Sequence, residues 1–182
     1  MAATTPICDF GQKAIDFDLL GIDGQRHSLQ AVRGLRATVI MFICNHCPYV
    51  KAIANRLSED VRFLQDQGVG VIAIMSNDSA DYPEDSFDNM KVFAQTHGFT
   101  FPYVIDETQE TGHAYDAKCT PDFFGYNADL ELQYRGRLDD SAQNTPKPDS
   151  KRELVEAMQQ IINTGKGPEQ QIPSIGCSIK WR

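Results

Sequence analysis

Apolar and polar positions alternate in part between Ala14 and Leu29, with an Asp23-Gly24 pair inside the stretch. Alternation interrupted by such a dipeptide predicts a β-hairpin near the start of the chain. From Arg36 to Ile43 the pattern becomes an almost unbroken apolar run rich in β-branched residues. That is the pattern of a strand buried on both faces. Val50, Ile53, Ala54, Leu57, Val61 and Leu64 then recur every three or four residues, which places them on one helical face. Gly68 ends this helix, and the run from Val69 to Met75 reads as a second buried strand. Strand, helix and strand in this order favour a parallel pair with a right-handed crossover.

Ser76 to Asp85 is polar and acidic and reads as a loop. Phe87, Met90, Phe93, Ala94 and His97 fit one helical face, closed by Gly98. Phe101 to Asp106 reads as a short strand whose Pro102 puts it near a sheet edge or at the strand's start. A short helix is expected within 108–117. Phe123 to Tyr126 and Leu130 to Leu138 flank the turn Asn127-Ala128-Asp129, as in an antiparallel hairpin. Asp139 to Asp149 reads as a surface loop. Ser150-Lys-Arg-Glu153 matches a capping box ahead of a last helix with Leu154, Ala157, Met158, Ile161 and Ile162 on one face. The tail, 163–182, holds the only Trp, Trp181, and is expected to dock. The element order predicts an α/β fold in a single domain over 1–182, with its core at about 14–165.

The chain has 182 residues, of which 41% are hydrophobic and 23% charged. That balance excludes a disordered chain, a fibrous repeat and a coiled coil. No apolar run approaches the ~20 residues of a membrane span, so no membrane partner is expected. Seventeen Lys and Arg against 25 Asp and Glu give a net charge of -8 with no basic run. Sequence-independent binding of nucleic acid is therefore not expected. Met1 to Asp9 has neither a basic nor an apolar signal segment, so a cytoplasmic protein is expected. Five cysteines (Cys8, Cys44, Cys47, Cys119 and Cys177) at irregular spacing do not form a secreted disulfide framework. In a reducing compartment they stay free unless they do chemistry or bind metal.

Cys44-Asn-His-Cys47 carries the chemistry. It falls where a buried strand gives way to an amphipathic helix. Two thiols two residues apart across a helix's first turn can close a disulfide with little backbone movement. The unsatisfied amides and positive end of that helix favour a thiolate, the form that attacks. An imidazolium at His46 would add to this effect, and an acidic thiol makes the couple more oxidising than thioredoxin's. The competing reading of C-x-x-C is half of a zinc site. No second C-x-x-C or H-x-x-x-H is present, so further ligands could come only through the fold.

The buried strand, Cys44-x-x-Cys47-Pro48, the long helix, the next strand and a later Thr120-Pro121 together resemble the thioredoxin-like superfamily. The N-terminal Ala14-x-Asp-Phe-Asp-Leu19 with Asp23-Gly24 is similar to the branch shared by TlpA-like oxidoreductases and peroxiredoxin-like AhpC/TSA proteins. The resemblance implies a thioredoxin-like fold: a central mixed sheet, helices on both faces and an N-terminal hairpin extension. It implies Cys44 as nucleophile, Cys47 as resolving thiol, and Pro121 as a cis-proline. Thr120 before it would offer backbone groups to an extended substrate. The implied function is thiol–disulfide exchange with a protein or small-molecule disulfide or dithiol and an external reductant. No cofactor or metal is expected, and a monomer or weak dimer suffices.

Two alternatives differ from this reading. One is a thiol peroxidase with Cys47 reacting with peroxide and Cys44 resolving. Against it, the peroxiredoxin pattern P-x-x-x-[T/S]-x-x-C places Ile40 and Cys44 where Pro and Thr/Ser belong. The other is a metal-binding or redox-sensing module using Cys44, Cys47 and Cys119. Cys119, two residues before Pro121, is expected near the site as a relay thiol, a ligand or packing. Cys177 reads as an ordinary buried or surface thiol, with a peroxiredoxin-style resolving role as the alternative. Thr38 falls where thioredoxin has a buried acid, which leaves His46 or an acid from elsewhere as base. Asp81, Glu84, Asp85 and Asp88 read as a solvated loop and helix start, and His27, His97 and His113 as surface or helix-end residues.

Overall fold

The computed structural model describes residues 1–182. Its strands are β1 (Ala2–Thr4), β2 (Asp18–Gly21), β3 (Arg26–Ser28), β4 (Ala37–Phe42), β5 (Val69–Met75), β6 (Tyr103–Ile105), β7 (Cys119–Thr120), β8 (Asp122–Asn127), β9 (Leu132–Gly136) and β10 (Ile175–Ser178). The helices are α1 (Leu29–Val32), α2 (Pro48–Gln65), α3 (Phe87–His97), α4 (Glu110–Ala114) and α5 (Glu153–Thr164). Seven strands form a mixed sheet in the order β3-β2-β6-β5-β4-β8-β9. β4 lies at its buried interior, parallel to β5 and antiparallel to β8. All six residues of β4 are buried, because helices or loops cover both sheet faces.

The two faces can be told apart residue by residue. Val39, Met41 and Ile43 point into the larger core with the apolar stripes of α2, α3 and α5. Ile40 and Phe42 point the other way, against Leu29, Tyr115 and Phe124. Burying side chains such as Leu57 and Leu64 completely contributes ~1.5–3 kcal/mol each relative to exposure. That burial, more than intrinsic propensity, holds α2 in place. α3 stops at Gly98, whose left-handed backbone closes the helix.

Pro102 stands immediately before β6, at the strand's start, and β6 is an interior strand between β2 and β5. Two expectations need correction. The capping box is not formed: α5 begins at Glu153, whose carboxylate is held by Arg137 at 2.5 Å. Ser150 Oγ instead accepts from the Lys147 amide and meets Ser141. The polar stretch before α3 is not simply solvated, since Asp85 is fully buried.

The tail docks, and it builds a second sheet with the order β1-β10-β7. β10 pairs antiparallel with β1 on one side and β7 on the other. Past the strand, Lys180 and Arg182 bond Asn77 and Gln109, and Trp181 stacks on His113 at 4.0 Å.

Candidate active site

β4 runs out at Phe42 and the chain turns through Cys44–Cys47 into α2. The turn's amides have no ladder partner and must find one. Asp85 supplies it: its Oδ1 accepts from the Asn45 amide at 2.8 Å and the His46 amide at 3.2 Å. The other oxygen lies 2.6 Å from His46 Nδ1 and accepts from Asn77 Nδ2 at 2.7 Å. Asn45 is tied in turn to Tyr103 Oη and the Glu84 carbonyl. Pro48 occupies the first helical position, where a missing N–H costs nothing.

Both sulfurs converge on Thr120. Cys44 Sγ lies 3.2 Å from Thr120 Oγ1, and Cys47 Sγ lies 3.1 Å from the Thr120 carbonyl oxygen. The Thr120-Pro121 peptide is cis. Behind it, Asp122 and Arg135 form a buried ion pair at 2.9 Å, with the guanidinium also over the Phe124 ring. An apolar recess beside Pro121 is lined by Tyr49, Ile53, Leu138, Ile172 and Ile175.

The two thiols share their ionisation. Hydrogen bonding from Cys44 lowers the Cys47 thiol below its ordinary value, helped by Cys177 and by the Val50 amide at the start of α2 and opposed by burial. The same bond raises Cys44, as do its burial and the charge of Asp85. When protonated, Cys47 donates to the Thr120 carbonyl instead. The expectation put the resting thiolate on Cys44. The directions here favour Cys47 instead, first through its hydrogen bond with Cys44, with Asp85 acting on Cys44 and the Val50 amide on Cys47.

His46 is held by Asp85 and stacked on Tyr82 with centroids 5.6 Å apart. Its ring is fixed by a carboxylate, an arrangement that sets which nitrogen carries the proton. Ligand atoms of Cys44, His46 and Asp85 lie within 4.8 Å of one another. In the structure each of these atoms has a hydrogen-bond partner. This triad differs from the Cys44, Cys47 and Cys119 set considered from sequence. Cys119 is buried and faces the Pro121 carbonyl at 3.7 Å, and burial pushes its thiol up to about 12.

Asp85 was missed as a site residue because its neighbours Asp81, Glu84 and Asp88 give it the look of an exposed acidic run. Thr38 is buried and accepts from the Gly34 amide, so the buried acid beside the thiols comes from the 76–85 loop. His27 pairs with Asp23, and His97 with Asn55, both away from the thiols.

A strand that ends in a dithiol turn and feeds a long helix, opposite a cis-proline, is the thioredoxin-like arrangement. A thioredoxin-family thiol:disulfide interchange protein of Chlorobium tepidum TLS has this fold, with a TM-score of 0.64 and 16% identity over 84% of this chain and 97% of its own. Within that class the chain belongs to the AhpC/TSA family, whose model matches residues 10–140. An uncharacterised conserved protein of Geobacillus kaustophilus is 45% identical, covering 100% of this chain and 97% of its own, with a TM-score of 0.94. The thiol-disulfide oxidoreductase ResA of Geobacillus thermodenitrificans is 29% identical over 114 residues. That match takes in 63% of this chain and 61% of ResA, so it spans less than two thirds of the relative.

Proposed function

We propose that this protein is a thiol–disulfide oxidoreductase working through Cys44 and Cys47. The observation that carries the reading is the meeting of both sulfurs against Thr120 at the positive end of α2. Similarity to ResA supports it. The proton shared by the pair moves to Cys47 as the Cys44 thiolate attacks a substrate disulfide. One substrate sulfur leaves as thiolate, and a Cys44–substrate disulfide forms. Cys47 passes its proton to the departing thiolate and attacks Cys44 Sγ, and the second substrate sulfur leaves as a thiolate that takes its proton from solvent. The substrate is reduced by two electrons, and the pair becomes a disulfide that an external reductant must reopen. His46, oriented by Asp85, is placed to help move the proton.

The substrate is a protein or small-molecule disulfide, and in the reverse direction a dithiol. Thr120, expected to offer its backbone to the substrate, is already paired with β10, so in this reading the contact surface is Pro121 and the apolar recess beside it. Cytoplasmic location fits the odd, irregular cysteine count. Cys44→Ser should abolish insulin-type disulfide reduction. Cys47→Ser should stop the cycle midway and accumulate a mixed disulfide on Cys44. Full activity in both variants overturns the mechanism. The lowered Cys47 thiol also favours a second reading, thiol peroxidase. Peroxide consumption that survives Cys44→Ser and vanishes in Cys47→Ser would select it.

A further inference from the structure

Cys44 and Cys47 are both 0% exposed. A site that exchanges with outside molecules has to be reached by some route, and the element that closes this one is β10. Its Cys177 pairs with Thr120 and its Ser178 with Cys119. Gly176 lies so near the Thr120-Pro121 peptide that an added Cβ would stand 2.0 Å from the Thr120 oxygen. Ser174 Oγ donates to the Pro121 carbonyl at 2.6 Å. The backbone positions around Thr120 are thus already occupied by the chain's own tail.

What the tail presents there is a thiol. Cys177 packs against the core cluster that contains Cys44 and Cys47. It pairs with Thr120, the residue whose carbonyl oxygen lies 3.1 Å from Cys47 Sγ, so the strand sets Cys177 beside Cys47. Cys47 therefore stands between two thiols, Cys44 within the turn and Cys177 on the strand. Of the three, Cys177 alone has solvent access.

We propose that Cys177 is a third redox thiol, held by β10 to exchange with Cys47 and carry the disulfide from the buried pair to the surface. This rests on the dithiol reading above and extends it. Starting from the Cys44–Cys47 disulfide, Cys177 gives up its proton and attacks Cys47 Sγ. The Cys47–Cys177 bond forms and the Cys44–Cys47 bond breaks. Cys44 leaves with the electron pair and takes up a proton, with no net oxidation. The half-exposed Cys47–Cys177 disulfide then meets the external thiol reductant. Attack at a disulfide sulfur depends on access as much as on thiolate character, and access is what the relay supplies.

The test uses the full chain, folded, with oxidised glutathione as oxidant, followed by alkylation and mass mapping of cross-linked peptides. Cys44→Ser removes the competing partner, and Cys44→Ala serves as the second variant should the serine disturb folding. Either variant should accumulate a Cys47–Cys177 linkage in preference to links from Cys47 to Cys8 or Cys119. Absence of that linkage, or its appearance only at the level of the other two, overturns the relay. Wild-type protein should in addition form Cys44–Cys47. Failure there overturns the dithiol function, while the Cys44 variants still decide the Cys47–Cys177 contact. In Cys177→Ser, the Cys44–Cys47 disulfide should form normally but lose its rapid reduction by dithiothreitol; undiminished reduction counts against the relay.

Discussion

The Asp85 carboxylate, fully buried, sits 2.6 Å from the His46 ring nitrogen while its other oxygen holds the amides of Asn45 and His46. One side chain from the loop after β5 therefore fixes both the backbone of the dithiol turn and the one imidazole beside it. Asp85→Asn keeps an acceptor for the amides but sets an NH₂ group against the donors of His46 or Asn77. Leaving buried donors unpaired costs ~1–3 kcal/mol, so a loss of that size is expected in denaturant unfolding. The charge of Asp85 also raises the Cys44 thiol, and its removal should shift the pH profile of Cys44 alkylation to lower pH. A shift the other way would show that the carboxylate does not act on Cys44 as argued.

A lowered Cys47 thiol has a redox consequence. Stabilising the thiolate stabilises the reduced protein and makes its disulfide the stronger oxidant. Each pKa unit between a lowered thiol and the working pH is worth about 1.4 kcal/mol, or about 30 mV for this two-electron couple. The Cys44–Cys47 couple should therefore lie above the roughly −270 mV of thioredoxin. Because the folded value is lowered, the stabilisation grows as pH rises from the folded toward the ordinary thiol value. It is lost as pH falls through the folded value. Equilibration with glutathione and with thioredoxin across pH measures both. A potential at or below thioredoxin's would contradict a lowered Cys47 thiol.

Arg135 faces Asp122 next to the Thr120-Pro121 peptide, and both side chains are buried. Burial outweighs the guanidinium and raises the Asp122 carboxyl to about 6. Arg135→Met leaves a buried carboxylate with no counter-charge, at a cost of ~3–5 kcal/mol. A carboxyl raised above its unfolded value costs stability as pH rises through that interval. Removing Arg135 raises the Asp122 carboxyl further, so the deficit of the variant should shrink as pH falls toward about 6 and be lost below it, where Asp122 is protonated in both proteins. A deficit that stays constant with pH would locate the damage in packing over Phe124 instead.

How much of this was legible beforehand depends on how local the signal is. The strand from Ala37 to Phe42, the stripe of α2 and the Gly98 stop follow from residues a few positions apart, and the structure has them where the pattern puts them. The dithiol turn was legible for the same reason. β1 and β10 were not, because three- and four-residue strands carry too little alternation and their pairing joins Ala2 to Cys177. Asp85 was hidden by composition: a carboxylate in a polar, acidic loop reads as solvated until the fold sets two unpaired amides against it. Ser150-x-x-Glu153 had the capping spacing but lost its partners to Ser141 and Arg137, contacts the local sequence does not encode.

The closure of the site by β10 can be tested without touching a sulfur. Gly176 lies against the Thr120 carbonyl, where a Cβ would meet backbone oxygen at 2.0 Å and backbone carbon at 2.5 Å. Neither atom can rotate away as a flexible side chain would, so Gly176→Val should lift the strand from β7. The rest of the tail keeps its anchors at Gln109, Asn77 and His113, so the opening should be local. Displacing the closed form by only about 1.4 kcal/mol raises the open population tenfold. Alkylation of Cys44 and Cys47 by iodoacetamide should therefore accelerate by at least about tenfold, with the far-ultraviolet circular dichroism unchanged. Rates equal to wild type would mean that outside reagents reach the pair by a path that β10 does not guard.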